Sequence, residues 1–517
     1  LEIKARIIKG QYHDSVSLML AAKEIKKVDG VVDAAILMGT DANKALLKQA
    51  GLLTKEAQSA SADDLVVSIK KDKEVDAVLS QIDSFLVNRS PTVGASLRKE
   101  RRSIRSAARF DPELNFAEIS VAGAYAAREA REALMKGLHV LLFSDNVSIE
   151  DEILLKKYAV ANGLLLMGPG AGTAVINGVG LGFANALPKG PVGIVSAAGT
   201  GLQEVSTILA KYGVGISQAI GTGGRDLSKR VGGLMAIASI KALIEDVHTK
   251  VIVLISKPAD DEVTKKILDV LKDGNKECVI CTLGAELEQP QDGIVRFTRT
   301  LEECAYSAAA ISGVKLPEYQ KFHQSELEKQ SAQAKKMSSK LGPDQKYIRG
   351  LYSGGTLCYE AQVIWKEMLK EPVYSNAPLN KKYTLEKKDS HPFHTALDLG
   401  EEEFTVGRPH PMIDNDLRAR FIASAGRDPM TAVIVMDVVI GYGAHADPGL
   451  ELGEAVKLVI KEAEQEGRTL YVTTCVTGTK DDPQGLKETV AILKASGAVV
   501  CHTNAQAARL AGMVVAR

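Results

Sequence analysis

At 517 residues the chain exceeds what one hydrophobic core organises, so about three or four domains are expected. Apolar residues make up 45% and charged residues 25%, and 64 basic side chains balance 64 acidic ones, which speaks against a nucleic-acid or membrane-surface partner. No apolar run reaches the roughly 18–20 residues of a membrane span, and the start LEIKARIIKG has no signal-peptide apolar region. Six scattered cysteines fit a reducing compartment, so the expected location is cytoplasmic.

Residues 1–90 alternate strand-like and helix-like patterns: KARIIKG, a helical run after Asp14, GVVDAAILMGT, a short helix stopping at Gly51, DLVVSIK and a last helix. This reads as a small α/β unit of ferredoxin-like type. Residues 91–190 open on a basic connector carrying Arg98, Lys99, Arg101, Arg102, Arg105 and Arg109. No aromatics interleave those charges, so a solvated linker helix is expected rather than a nucleic-acid surface. AEISVAG, HVLLFS and LLLMGPG then alternate with two helical patterns, a parallel Rossmann-like layout. GPGAGTA does not open a helix, and the Gly-rich VINGVGLGFANALPKG that follows reads as irregular, which argues against a dinucleotide site.

Residues 191–315 begin with VGIVSAAGTGLQE, a strand, a Ser/Gly turn, Gly199-Thr200 and a helical pattern with Glu204 four residues after the threonine. The strand ECVICTLG carries a CxxC, but alternation sends Cys278 and Cys281 to opposite faces, so both read as core. Residues 316–346 are polar and helix-favouring, a linker. Residues 347–517 repeat the block. IRGLYSGGTLCYE presents Gly355-Thr356 and Glu360 at the same spacing, an insertion runs through 371–420, and TAVIVMDV answers TKVIVLIS. This is a diverged duplication of one open α/β, flavodoxin-like domain with a parallel sheet. Trp365, on the helix after the second Gly-Thr turn, reads as core.

A helix N-terminus offers unpaired N–H groups and partial positive charge, and a Gly-containing turn lets an anion come close. One such turn is an ordinary cap. Two in a duplicated domain can face one phosphate, so Ser196, Gly199, Thr200, Ser353, Gly354, Gly355 and Thr356 are the candidate phosphate ligands. No G-x-x-x-x-G-K-[S/T] occurs, so a P-loop nucleotide site is not expected. Arg225 in GTGGRDL and Arg408 in VGRPHP follow the second strand of their halves, and His445 lies in the Gly-rich GYGAHADP. Loops at the carboxyl ends of parallel strands line ligand crevices, so these three are candidates for clamping a carboxylate and moving a proton, with surface charge or turn filling as the plain alternatives. His410 reads as structural, and no metal ligand set stands out.

AEISVAGAYAAREAREALMKGLHVLLFS, LLLMGPGAGTA and LPKGPVGIVSAAGTG resemble the α subunit of succinyl-CoA synthetase, from the second half of its CoA-binding domain to the start of its ligase domain. HTALDLG to AVIVMDVVIGYG is similar to the C-terminal ligase domain of its β subunit, and with the small N-terminal unit the whole resembles the FdrA family. The resemblance implies that 91–190 is a CoA-binding-type domain, that 191–315 and 347–517 are two ligase domains, and that the helices after the Gly-Thr turns face a phosphate. It further implies oxamate carbamoyltransferase-type chemistry in purine and allantoin catabolism, oxalurate plus phosphate giving oxamate plus carbamoyl phosphate, with companion subunits and a homodimer. The alternatives are acyl-CoA synthetase activity and a non-catalytic binding subunit. Three departures matter. Residues 285–295, where a phosphohistidine loop belongs, contain no His; the ATP-grasp domain has no counterpart; and the Gly-rich CoA loop is missing, which leaves phosphate as the expected substrate and CoA as a candidate without its loop.

Overall fold

The computed structural model describes all residues except 10–14, 63, 88–100, 102, 286–292, 386–392, 406–408 and 517. Two compact units result, Leu1–Glu100 with Glu402–His410, and Arg101–Glu401 with Pro411–Arg517.

The first unit contains β1 (Glu2–Ile8), α1 (Ser15–Lys26), β2 (Val31–Met38), α2 (Asp41–Gln49), α3 (Lys55–Ser59), β3 (Leu65–Lys71), α4 (Val75–Ser80) and α5 (Ile82–Val87). Its sheet is antiparallel in the order β1-β3-β2, three strands of the expected ferredoxin-like plan. β3 is central because it is apolar on both faces: Leu65, Val67 and Ile69 pack with Leu18, Ala21 and Ile25, and Val66 with Leu47, Leu52 and Ala57. Thr40 caps α2, accepting from Asn43 N–H at 3.3 Å, and Gly51 (φ 66°) follows its end. The expected cap Asp14 lies outside the described residues.

The second unit opens with α6 (Ile104–Phe110), β4 (Phe116–Ile119), α7 (Gly123–Met135), β5 (His139–Leu142), α8 (Ile149–Ala161) and β6 (Leu166–Met167), a three-stranded parallel sheet in the order β4-β5-β6. The basic connector is the expected linker helix where it is described, with Arg105 paired to Glu132 at 2.9 Å. The Gly-rich stretch that follows is not irregular. It forms a hairpin, β7 (Thr173–Ile176) and β8 (Val179–Gly182), turned by Asn177 (φ 52°) and Gly178 (φ 82°). An Asn-Gly pair supplies the two positive φ angles that a tight hairpin turn requires. β7 then joins the next sheet rather than the small one.

That next sheet is built by β9 (Lys189–Ser196), α9 (Gly199–Lys211), β10 (Ile216–Gly221), α10 (Leu234–Glu245), β11 (Val251–Ser256), α11 (Asp261–Gly274), β12 (Glu277–Thr282), β13 (Val295–Thr298) and α12 (Leu301–Ile311). Residues 316–346 contain α13 (Tyr319–Ser338), which is docked rather than free: Gln330, Ala334 and Met337 are buried. The last block contains β14 (Tyr347–Tyr352), α14 (Gly355–Met368), β15 (Val373–Ser375), β16 (His394–Asp398), the short α15 (Glu402–Thr405) that is counted with the first unit, α16 (Asp416–Arg427), β17 (Thr431–Val439), α17 (Pro448–Gln465), β18 (Tyr471–Thr477), α18 (Leu486–Ala495), β19 (Val499–Cys501) and α19 (Asn504–Val515).

The two large sheets run β13-β12-β11-β9-β10-β7-β8 and β15-β16-β14-β17-β18-β19. With the edge strand β15 and the hairpin β7-β8 set aside and the other strands of each half numbered from β9 and β14, both sheets contain the order 5-4-3-1-2 in parallel pairing, the flavodoxin-like arrangement expected of a duplication. The apolar runs VIVLIS and TAVIVMDVV are buried throughout because helices cover both faces. Cys278 and Cys281 sit in different core clusters on opposite faces of β12. The halves share a core in which Leu202 and Val205 of α9 join Leu357, Ala361 and Trp365 of α14, and Trp365 donates its ring N–H to Ala508 O at 2.8 Å.

Candidate functional site

The two Gly-Thr turns meet. Thr356 N–H, at the start of α14, donates to Thr200 Oγ1 of α9 at 3.3 Å. Contact between the ends is tight: a Cβ on Gly354 would lie 2.8 Å from Thr200, and one on Gly201 would lie 2.9 Å from Thr356 Cγ2. Neither helix has a side-chain cap from its own N-cap residue. The N–H groups of Gly199, Thr200 and Gly201, and of Gly355 and Leu357, donate to no group among the described residues. Two helix N-termini with open donors therefore share one place, where the partial positive ends attract an anion.

The remaining candidate ligands have internal partners. Ser196 Oγ closes its own turn, accepting from Ala198 N–H at 3.0 Å and donating to Ala198 O at 2.8 Å. In the other half a buried carboxylate holds the turn. Asp437 Oδ1 accepts from Ser353 N–H and Oδ2 from Gly354 N–H, both at 2.8 Å, and Ser353 Oγ donates to Oδ2 at 3.0 Å. Arg418 pairs with Asp437 Oδ1 at 3.0 Å and is itself buried. A bound anion would draw on Thr200, Thr356 and the glycine N–H groups rather than on Ser196, Ser353 and Gly354.

The paired glutamates cross between the halves. Glu204 of α9 accepts from Asn504 N–H at 2.9 Å, the first residue of α19, and from Thr477 Oγ1 at 2.5 Å. Glu360 of α14 accepts from Leu301 N–H at 2.7 Å, the first residue of α12, and from Asn504 Nδ2 at 2.8 Å. Each half thus supplies a carboxylate to a helix N-terminus of the other, and the doubled Gly-Thr-x-x-x-Glu spacing serves this exchange. Burial pushes the Glu360 carboxyl up to about 7, against the pull of its two donors.

Two further groups stand beside the helix ends. Asp398, at the carboxyl end of β16, is buried, and a Cβ on Gly355 would lie 2.3 Å from its Oδ2. Burial pushes its carboxyl up to about 7, Glu401 adds to the rise, and Lys257 opposes it. Lys257 follows β11 of the other half, with Nζ 5.4 Å from the ring centroid of Tyr359 on α14. Position was the available signal for both: each stands where a parallel strand ends, the edge on which ligands bind in open α/β sheets. Asp437 was legible as a charge inside an apolar run, which demands a partner.

Arg225 and His445 have partners of their own. Arg225 binds Val147 O at 2.8 Å and Glu152 at 2.9 Å, joining a buried cluster in which Lys156 contacts Glu152 and Asp226 at 2.8 Å each. His445 accepts from Asp447 N–H at Nδ1 (3.0 Å) and faces Glu451 through Nε2 at 3.4 Å, at the entrance of α17. Its neighbour Tyr442 pairs with Ala184 beyond the hairpin. Arg408 lies outside the described residues.

Comparison with known proteins adds three family matches: AllF, heavy metal-associated domain, over residues 1–102; CoA binding domain over 188–284; and CoA-ligase over 351–514. The CoA-binding match falls on the block read above as the first ligase domain, not on 91–190. Heavy metals favour soft thiolate ligands, and residues 1–102 contain no cysteine and one histidine, His13, so this stretch does not fit such a metal. Among the described residues, no group of three His, Cys, Asp or Glu side chains is placed to hold one, and no helix is long and apolar enough to cross a membrane. The α subunit of succinate–CoA ligase from Aquifex aeolicus is 31% identical over 149 residues, 28% of this chain and 48% of that subunit. The Staphylococcus epidermidis α subunit is 29% identical over 183 residues, 34% of this chain and 58% of its own, so the chain spans about half the length of these relatives. A dinucleotide-forming acetyl-coenzyme A synthetase from Ca. Korarchaeum cryptofilum, solved with phosphate and ADP, aligns over 83% of this chain and 87% of its own at 14% identity and a TM-score of 0.29. Uncharacterized protein YahF of Escherichia coli K12 is 40% identical over 516 residues, 99% of this chain and 98% of that protein. That end-to-end likeness to an FdrA-like protein, with AllF, CoA-binding and CoA-ligase blocks in order, makes the chain a member of the FdrA family of succinyl-CoA-synthetase-like proteins.

Proposed function

We propose that the chain transfers an acyl group in the manner of an acyl-CoA synthetase, with the phosphate of an acyl phosphate held between the N-termini of α9 and α14. The observation that carries this reading is the meeting of the two turns, Thr356 N–H on Thr200 Oγ1 at 3.3 Å, with five further N–H groups open beside them. The CoA-ligase and CoA-binding matches support CoA as the partner substrate, its thiol accepting the acyl group. Each helix end favours a phosphate by about 0.3–1 kcal/mol, and by up to about 2 kcal/mol when partly buried. Donors aimed at the phosphate oxygens stabilise the charge that collects there as the acyl–oxygen bond breaks. Because residues 285–295 contain no His, the reading starts from a preformed acyl phosphate and not from a phosphohistidine. The matched families speak of CoA ligation, which favours this chemistry over carbamoyl transfer to oxamate.

Incubating the protein with acetyl or succinyl phosphate and CoA should form the thioester, with carbamoyl phosphate and oxamate run alongside. No thioester from either acyl phosphate, with carbamoyl transfer instead, would reverse the assignment. Phosphate at tens of millimolar should raise the melting temperature beyond a sulfate control by mass action, and Thr356→Val should lose that protection.

A further inference from the structure

Resting on the acyl-transfer reading, the geometry points to Asp398 as the base that takes the proton of the acceptor thiol, with Lys257 from the other half as the cation that positions the acyl phosphate beside it. Asp398 is 3% exposed, and Asn376 fixes its backbone from both sides, Nδ2 donating to Asp398 O and Oδ1 accepting from Asp398 N–H, each at 2.9 Å. Oδ1 accepts from Gly400 N–H at 3.0 Å. Oδ2 takes no hydrogen bond from any described residue, although it stands against the first residue of α14, 2.3 Å from the place of a Gly355 Cβ.

A buried carboxylate beside a helix N-terminus ordinarily caps it. Asp398 does not: Asp437 takes the N–H groups of Ser353 and Gly354, and the open N–H groups of Gly355 and Leu357 make no hydrogen bond to Asp398. Its Oδ2 is therefore left without a hydrogen-bond donor among the described residues, at the edge where the open N–H groups gather. Lys257 comes from the end of β11, stands over Tyr359 of α14 close enough for its charge to act on Asp398, is half-buried, and forms no ion pair among the described residues. The charges that bear on Asp398 are Glu401 and Asp437, which raise its proton affinity, and Lys257, which lowers it; burial dominates and leaves the carboxyl at about 7, suited to a base near neutral pH.

The step balances without an oxidant or a further reactant. The thiol proton passes to Asp398 Oδ2 as sulfur bonds to the acyl carbon. The bond from that carbon to the phosphate oxygen breaks, and phosphate leaves with the electron pair toward the N–H groups of Gly199, Thr200 and Gly355. Asp398 then returns its proton to the departing phosphate or to water.

The test is thioester formation from acetyl phosphate and CoA by the full chain across pH 5.5–8.5, for wild type, Asp398→Asn, Asp398→Glu and Lys257→Met. Wild-type kcat/KM should rise with pH to a plateau above about 7. Asp398→Asn should lose that rise and about 10²–10⁴-fold in kcat, Asp398→Glu should recover part of the rate with the rise moved, and Lys257→Met should raise KM for acetyl phosphate by about tenfold or more while changing kcat less. Wild-type transfer with an Asp398→Asn variant unchanged in rate and pH profile overturns the inference and leaves the proposed function standing. No transfer by wild type takes down both. If Asp398→Asn melts below the assay temperature, the decision passes to Asp398→Glu, and an unmoved pH profile there overturns the assignment.

Discussion

Residues 191–315 and 347–517 enter their first helices through the same strand, turn and Gly-Thr, yet each holds that turn by a different device. The first half uses a serine that bonds within its own turn, Ser196 with Ala198 at 2.8 and 3.0 Å. The second uses a carboxylate 84 residues away, Asp437, with Arg418 as counter-ion. A single neutral hydrogen bond contributes about 1 kcal/mol, whereas removing one partner of a buried ion pair is strongly destabilising. The second half is therefore the more brittle of the two, and it also carries Asp398. The glutamate exchange treats the halves alike, Glu204 reaching α19 and Glu360 reaching α12.

The sharpest way to break this contrast is to remove both holding groups. Asp437→Ala leaves Arg418 buried without its partner and strips acceptors from Ser353 and Gly354, and should cost about 3–5 kcal/mol in chemical denaturation. Ser196→Ala should cost only about 1 kcal/mol. Equal shifts in the two denaturation midpoints would show that the difference in hydrogen bonding has no energetic counterpart.

Next in size is a pH effect from Glu360. Its folded-state carboxyl titrates at about 7, above the unfolded value near 4.5, so between these values the folded chain binds more protons. The stability this contributes is present in full below about 4.5 and is lost as pH rises through about 7, roughly 3 kcal/mol at most. Asp398 has the same sign, its folded carboxyl also standing at about 7. Glu360→Gln should flatten the fall in melting temperature between pH 5 and 7.5 without abolishing it, and Glu360→Gln with Asp398→Asn should flatten it further. An undiminished fall in the double variant would assign the effect to other groups.

Space at the helix starts gives a smaller asymmetry. A methyl group on Gly355 collides with Asp398 Oδ2 at 2.3 Å, whereas one on Gly199 meets only Thr173 Oγ1 at 3.8 Å. Gly355→Ala should cost about 1–3 kcal/mol, and Gly199→Ala should stay within about 1 kcal/mol of wild type. Smallest is Thr200→Val, which removes the acceptor for Thr356 N–H and should cost about 0.5–1.5 kcal/mol by denaturation. A loss above that of Gly355→Ala would mean that the contact between the halves is stronger than its 3.3 Å length implies.

Most of the architecture was readable in the residues. Apolar runs of β-branched side chains alternating with helical periods specify two open parallel sheets, and the shared T-x-V-I-V strands mark the duplication. The alternation in ECVICTLG by itself separates Cys278 from Cys281. The misreading of 175–190 as irregular came from weighing its glycines as breakers, when Asn177-Gly178 between two short apolar runs is a hairpin signal. Of the site, the sequence pointed to both Gly-Thr turns and to the edge on which ligands bind. It did not separate Thr200 and Thr356, which meet, from Ser196 and Ser353, which are occupied within their own halves.

That separation is tertiary in origin. Period, turn chemistry and helix caps act over a few residues, so they are written locally in the chain. Which carboxylate reaches which N–H is a matter of distant partners: Asp437 to Ser353, Glu360 to Leu301, Glu204 to Asn504. Those contacts exist only once the two halves pack on a common core. Burial then sets their chemistry, taking the carboxyls of Glu360 and Asp398 to about 7 where water would have kept them acidic.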